Sequence, residues 1–316
     1  MILKKLLTSL TVFALGLSVI ALGTPKAQAM PVITAFYDFE GSGLDRFDDP
    51  AGATADDLNG QFNPAFSVDV SGINGGSQSA SFNGNSALFT DSFTADLAPD
   101  PNAMTIMFWV KGDDPTQENN NIRLMTSRVR PNGSGTTGRS WQVEGFGQGN
   151  GNGMDVRYQP HNGVYPQNWF SPDATNALAG PNEQAVWHHV AFVLANSGHP
   201  GDGGAYGQTF VDGIQVGGTY NPNNLWDGHT LANLEGQFLI GGHSETAGSR
   251  AFTGLLDDVA LFGGIVSDED ILAIARGTLS PGDFIPGQDG GVPEPATATL
   301  ALLGLGGLMM RRRRNA

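Results

Sequence analysis

Two carboxylates, Asp38 and Glu40, follow the alternating run Thr34-Ala35-Phe36-Tyr37. On an extended strand, residues i and i+2 share a face. Two carboxyl groups about 5 Å apart are what retaining glycoside hydrolysis requires, one as acid/base and one as nucleophile. No third carboxylate follows, so the pair alone is a weak catalytic constellation. Asp268-Glu269-Asp270 is denser, but it opens a helical pattern, where acids suit the positive end of the helix dipole. His188 and His189 are adjacent, so on a strand they point to opposite faces and cannot hold one ion together. One is expected to hydrogen-bond inward and the other to face the sheet surface. His161, His199, His229 and His243 are scattered without ligand spacing.

A second chemistry is sugar recognition. Trp141, Tyr158, Tyr165 and Trp169 are interleaved with Asn, Asp and Gln, and Trp226 follows in a later loop. Aromatic rings stack on the C–H faces of sugars while amide and carboxylate edges read the hydroxyls. The same rings can equally pack a long loop onto the body as a satellite core. Trp109 and Trp187 sit in apolar runs and read as core.

The elements that must position these groups are mostly short strands separated by Gly, Asn, Asp and Pro. Residues 34–39 alternate. Residues 79–82 and 87–89 flank Asn83-Gly84, and residues 104–110 and 187–194 form longer apolar runs. Residues 122–129, 237–240 and 252–262 complete the set. Residues 208–216 form a hairpin about Asp212-Gly213, a pair suited to a type I′ turn because both positions need positive φ. One helix is predicted, capped by Ser267 with Asp270 as its capping-box partner and stopped by Gly277. Residues 131–183 read as the longest irregular stretch. Many strands, frequent turns and one helix predict an all-β, two-sheet antiparallel sandwich.

The ends carry addresses. Lys4-Lys5, an apolar run from Leu6 to Leu22 and Ala27-Gln28-Ala29 have the layout of a secretory signal peptide over residues 1–29. At the other end, Ala296–Met310 is apolar and shorter than the roughly 20 residues of a straight membrane span. Arg311–Arg314 follow it. Seven of the 16 Lys and Arg lie in these ends, which leaves nine against 31 acidic residues, a charge of about −22. Such a surface repels nucleic acid. It also repels acidic polysaccharide unless divalent cations bridge the two, so cations or neutral glycans suit it better. There is no cysteine, so stability rests on a core or bound ions.

The segments FYDFEG (36–41), SFNGNSALF (81–89), AMTIMFWVK (103–111), AVWHHVAFVL (185–194), TFVDGIQVG (209–217), FLIGG (238–242), FTGLLDDVALF (252–262) and SDEDILAIARG (267–277) occur in this order. Together they resemble the LamG-like jelly roll of the concanavalin A-like lectin/glucanase superfamily. The resemblance implies two antiparallel sheets of six or seven strands, one concave, and it spans residues 34–278. It also implies one structural calcium ion tying the first strand to the last. Asp38 and Asp257 are the matching positions, with Asp258 or Glu40 contributing. These acids can instead cap turns and solvate the surface. The final residues, with Pro293-Glu294-Pro295 before the apolar run and arginine cluster, closely resemble the PEP-CTERM sorting tail read by exosortases.

The sequence thus predicts a signal peptide (1–29), a LamG-like domain (30–280), a linker (281–291) and a sorting tail (292–316) with a short transmembrane helix at about 296–310. The expected protein is exported to the cell surface or extracellular matrix. The tail holds it at the inner membrane, transiently or permanently. It is expected to be non-catalytic and to bind carbohydrate in extracellular polysaccharide. The expected glycan-binding residues are Trp141, Tyr158, Tyr165, Trp169 and Trp226. The alternatives are a polysaccharide-cleaving hydrolase or lyase of the same fold, or a purely structural matrix protein.

Overall fold

A computed structural model describes residues 31–40, 58–61, 65–71, 76–90, 102–112, 123–129, 138–145, 155–158, 168–170, 185–195, 197, 206–220, 237–242 and 251–285. By compactness the chain divides into Met1–Met30 and Pro31–Ala316, and every described residue lies in the second unit. The expected signal peptide and sorting tail lie outside the described residues.

The described strands are β1 (Val32–Tyr37), β2 (Leu58–Gln61), β3 (Ala65–Ser67), β4 (Ser79–Asn83), β5 (Ala87–Thr90), β6 (Ala103–Gly112), β7 (Arg123–Val129) and β8 (Gly138–Glu144). They continue with β9 (Asp155–Tyr158), β10 (Asn168–Phe170), β11 (His188–Ala195), β12 (Tyr206–Val211), β13 (Ile214–Tyr220), β14 (Gln237–Ile240) and β15 (Thr253–Gly263). Helix α1 (Asp268–Ala275) and a 3-10 helix (Pro281–Phe284) close the body. One sheet has eight strands in the order β13-β12-β11-β6-β15-β4-β3, with β1 also on β15. The other has seven in the order β10-β9-β8-β7-β14-β5-β2. Neighbouring strands are antiparallel throughout.

Strand alternation explains the two cores. Ile106, Phe108 and Val110 of β6, Val190 and Phe192 of β11, and Phe238 and Ile240 of β14 meet between the sheets. Met107, Ala191, Val193 and Phe210 face the other way and pack under Ile271 and Ile274 of α1. β6 and β11 are therefore buried on both faces, which is why they read as continuous apolar runs. Phe284 of the 3-10 helix meets Phe262 edge-on, centroids 5.4 Å apart. The outer face of the eight-stranded sheet is thus covered by its own C-terminal segment.

Local signals behave as their chemistry dictates. Asp212 and Gly213 have φ of 50° and 76°, the left-handed pair of a type I′ turn. A side chain at Gly213 would meet Leu272 of α1 at 2.7 Å, so this turn needs glycine for packing as well as for φ. The Ser267 hydroxyl accepts from the Asp270 N–H at 3.1 Å and donates to its Oδ2 at 2.8 Å. The full reciprocal capping box occurs at Ser280 and Asp283 instead.

Three expectations need correction. The stretch 131–183 contains β8, β9 and β10, and is not wholly irregular. Its strands are short, polar and bounded by Gly and Asn, so their alternation is weak. The segment assigned to a linker begins with a folded turn, in which Pro281 is buried. Finally, β1 ends at Tyr37, and Phe39 has φ of 52°. The extended geometry that would align Asp38 with Glu40 stops before it reaches them. Among the described residues, no helix is long and apolar enough to cross a membrane.

Candidate functional site: two sheet faces and a carboxylate cluster

The four predicted calcium ligands lie near the end of β1 and beside it on β15 but do not form a ligand set. Tyr37 pairs with Val259, so Asp38 leaves β1 beside the Asp257–Asp258 step of β15. There β15 bulges: Asp257 pairs with Trp109 and Ala260 with Met107, which leaves two residues opposite Phe108. Asp258 takes up the extra residue at φ of 47°. Asp257 and Asp258 are both buried. Burial, then the charge of Asp258 and more distantly that of Glu40, push the Asp257 carboxyl up to about 8. Its oxygens accept from the N–H groups of Ser71 at 3.4 Å and Asp258 at 3.0 Å.

Glu40 is committed elsewhere. Its Oε1 accepts from the N–H groups of Ser77 (2.6 Å) and Gln78 (3.2 Å), and its Oε2 accepts from the Ser77 hydroxyl (2.5 Å). Asp38 Oδ1 accepts from the Glu40 N–H at 3.3 Å. A side chain at Gly76 would strike Glu40 Oε1 at 2.7 Å. Glu40 therefore anchors the turn before β4. Among the described residues, no group of three or more acidic or histidine side chains is set to hold a metal.

The paired histidines also differ from expectation. His188 Nδ1 lies 2.8 Å from Asp212 Oδ2, and Asp212 Oδ1 accepts from the His189 N–H at 2.9 Å. The His189 ring makes no hydrogen bond: it is buried against Trp109, and both its nitrogens and the Trp109 Nε1 are unpartnered. Desolvation holds the His189 imidazole down to about 4, so it is neutral at pH 7. Trp187, read as core, sits just before β11 and donates to Asp69 Oδ1 at 2.9 Å. Lys111 Nζ reaches the other Asp69 oxygen at 2.5 Å.

The seven-stranded sheet holds three of the expected glycan-binding residues. Its faces follow from β14, where Phe238 and Ile240 enter the core and Leu239 lies on the opposite side, where it is also buried, at 1% exposure. Directly opposed residues share a face. The Phe238 row runs Ser127, Trp141, Tyr158, Asn168. The Leu239 row runs Thr126, Gln142, Arg157, Trp169. Trp141 and Tyr158 thus share the core-side register, and Trp169 occupies the outer one. Tyr165 and Trp226 lie outside the described residues. Gln142 and Arg157 escaped the sequence reading. A local count of basic residues, in place of a count over the whole domain, would have flagged Arg157.

Two antiparallel sheets stacked about one core, with a C-terminal helix on the back of the larger, define a jelly-roll β-sandwich. A family model for the concanavalin A-like lectin/glucanases superfamily matches residues 74–272, more than half of the chain, and the chain belongs to that superfamily. Comparison with curated proteins finds no match. Among solved structures, the chain is similar to the receptor binding domain of botulinum neurotoxin mosaic serotype C/D. The identity is 13%, the TM-score 0.52, and the match covers 78% of this chain and 51% of that one. For the botulinum neurotoxin serotype D binding domain the identity is 13% and the TM-score 0.50, over 78% and 51% of the two chains. Domain 4 of AbnA, a GH43 extracellular arabinanase from Geobacillus stearothermophilus, aligns at 14% identity and a TM-score of 0.49, over 78% of this chain and 98% of that one. At such identities the likeness is one of fold. The match spans about half the length of the toxin domains.

Proposed function

We propose that this is an exported, non-catalytic carbohydrate-binding protein that works on extracellular polysaccharide through the outer face of its seven-stranded sheet. The observation that carries this reading is the register row Gln142–Arg157–Trp169, three residues of sugar-recognising type at opposed positions on adjacent strands. Planar and hydrogen-bonding groups in one row suit a chain of sugars. The back of the other sheet is occupied by α1 and the 3-10 helix. Hydrolysis is disfavoured, because Asp38 and Glu40 are not a strand pair and Glu40 is engaged by three donors. A glycan array probed with wild type and Trp169→Ala tests the reading. Binding that the substitution abolishes supports it; no binding under any condition leaves a purely structural role.

The export part rests on the sequence of the ends. The chain would be secreted, then sorted by an exosortase that reads Pro293-Glu294-Pro295, with residues 296–310 at the inner membrane. Mass analysis of the surface-located protein tests it, the prediction being loss of residues 1–29 and processing near Pro293. A structural calcium ion would have to draw Glu40 away from Ser77 and displace the proton that Asp257 holds at pH 7. A calcium-dependent rise in melting temperature that a chelator reverses would establish it.

A further inference from the structure

One row on the outer face of the eight-stranded sheet is polar where its neighbours are apolar. His189 pairs with Trp109, and Trp109 with Asp257. Directly opposed residues share a face. Met107 and Ala191, two positions along β6 and β11, belong to the core under α1, so the row stands on that same side. It is closed to solvent: His189 is 1% exposed, Asp257 2% and Trp109 4%.

Polar groups buried this deeply are nearly always hydrogen-bonded. Asp257 conforms, through the N–H groups of Ser71 and Asp258. The two heterocycles do not. Among the described residues, neither ring nitrogen of His189 nor the Trp109 Nε1 has a partner. The residues next to them in the chain behave differently. The Trp187 indole donates to Asp69 at 2.9 Å, and His188 Nδ1 lies 2.8 Å from Asp212 Oδ2.

The chemistry of the three unpartnered atoms narrows what can meet them. Trp109 Nε1 only donates, and the neutral imidazole of His189 donates from one nitrogen and accepts at the other. An indole N–H is no metal ligand. An anion would meet the carboxylate of Asp212, whose Oδ1 already accepts from the His189 N–H at 2.9 Å. A small neutral molecule that both donates and accepts remains, and water is the one that fits so closed a place. The ring centroids are 5.3 Å apart and the planes tilted by 59°. That is comparable with the span of one bridging water, roughly 5 Å between its two partners.

We infer that Trp109 and His189 form an internal hydration site. One ordered water accepts from Trp109 Nε1 and donates to the bare nitrogen of His189. A second accepts from the imidazole N–H, because the two ring nitrogens face away from each other. The bridge links β6 to β11 through side chains that do not bond directly, and it fixes the His189 tautomer. It is independent of the carbohydrate-binding reading.

The test is water-to-protein cross-relaxation measured by NMR on the full 15N-labelled chain, read at the indole N–H protons. The inference predicts a long-lived water contact at the Trp109 indole and only short-lived surface contact at that of Trp187. In His189→Phe, checked for a cooperative melt, the long-lived contact at Trp109 should disappear. A crystal structure of the wild type should place an oxygen about 2.9 Å from both Trp109 Nε1 and one His189 nitrogen. This second measurement needs no variant, so it decides the matter even where His189→Phe does not fold. A dry Trp109 indole, or a water contact unchanged in folded His189→Phe, would overturn the inference. So would crystal density in which protein groups partner these nitrogens.

Discussion

His189 lies directly across from Trp109 on neighbouring strands, ring centroids 5.3 Å apart, and none of the three ring nitrogens has a hydrogen-bond partner. On the other side Trp109 pairs with Asp257. A neutral histidine and a proton-holding aspartate thus flank one indole on the back of the eight-stranded sheet. Their folded-state proton affinities, about 4 for His189 and about 8 for Asp257, are displaced in opposite senses.

Between pH 4 and 6.5 the unfolded chain protonates His189 and the folded chain does not, so this residue makes stability fall as pH drops. Over the same range folded Asp257 keeps a proton that the unfolded chain has released, so it makes stability rise as pH drops. The two effects oppose each other in the wild type. His189→Phe should therefore gain stability relative to wild type on acidification from pH 6.5 to 4, by up to about 3 kcal/mol. Asp257→Asn should lose a similar amount. Denaturant melts at half-unit pH intervals measure both, and parallel curves for the two variants would refute the assignment.

Above pH 6.5 Asp257 still differs between the two states, while His189 no longer does. Stability should fall as pH rises from 6.5 to 8, by about 2 kcal/mol, and the fall should vanish in Asp257→Asn. A bound divalent cation would favour the ionised carboxyl and abolish the slope, so repeating the series with calcium separates the two situations.

Asp69 fastens the residues after β3 to the larger sheet through Lys111 and Trp187. Lys111 holds its carboxyl below the usual range. Because the pair is partly exposed, Asp69→Ala should cost only about 1 kcal/mol. Asp69→Asn should recover part of that by keeping an acceptor for the Trp187 indole. Equal losses in the two variants would show that the indole bond contributes nothing.

Gly241 sits at φ of 82°, and a side chain there would run into the ring of Phe82. Gly241→Ala should destabilise by about 3 kcal/mol or more, since strain and overpacking add. Gly242→Ala meets only Ala87 Cβ, at 3.0 Å, and should be much milder. Urea melts of the two variants give the comparison directly.

The sequence made some features legible because their causes are local. Asp212-Gly213 announces its turn by the φ values it needs, and Ser267 and Asp270 announce their helix by capping chemistry. Met107 and Phe108 read as one apolar run because the strand is buried on both faces. The candidate site was harder to read, because its causes are not local. Asp38 and Glu40 look like a strand pair until Phe39 turns left-handed against the bulge at Asp258, a tertiary event. Gln142 and Arg157 are far apart in the chain, and nothing in their spacing says that they oppose one another; that depends on the register between β8 and β9. His189 offered no sign that its ring would be left without a partner.

The central claim is that sugar is held on the outer face of the seven-stranded sheet, and Trp169 against Trp141 tests it. Titration of a glycan that the wild type binds on an array into Trp169→Ala should show at least tenfold weaker binding at an unchanged melting temperature. Trp141→Ala, altered on the core-side register, should melt lower. Full affinity in Trp169→Ala, measured at wild-type stability, would contradict the account.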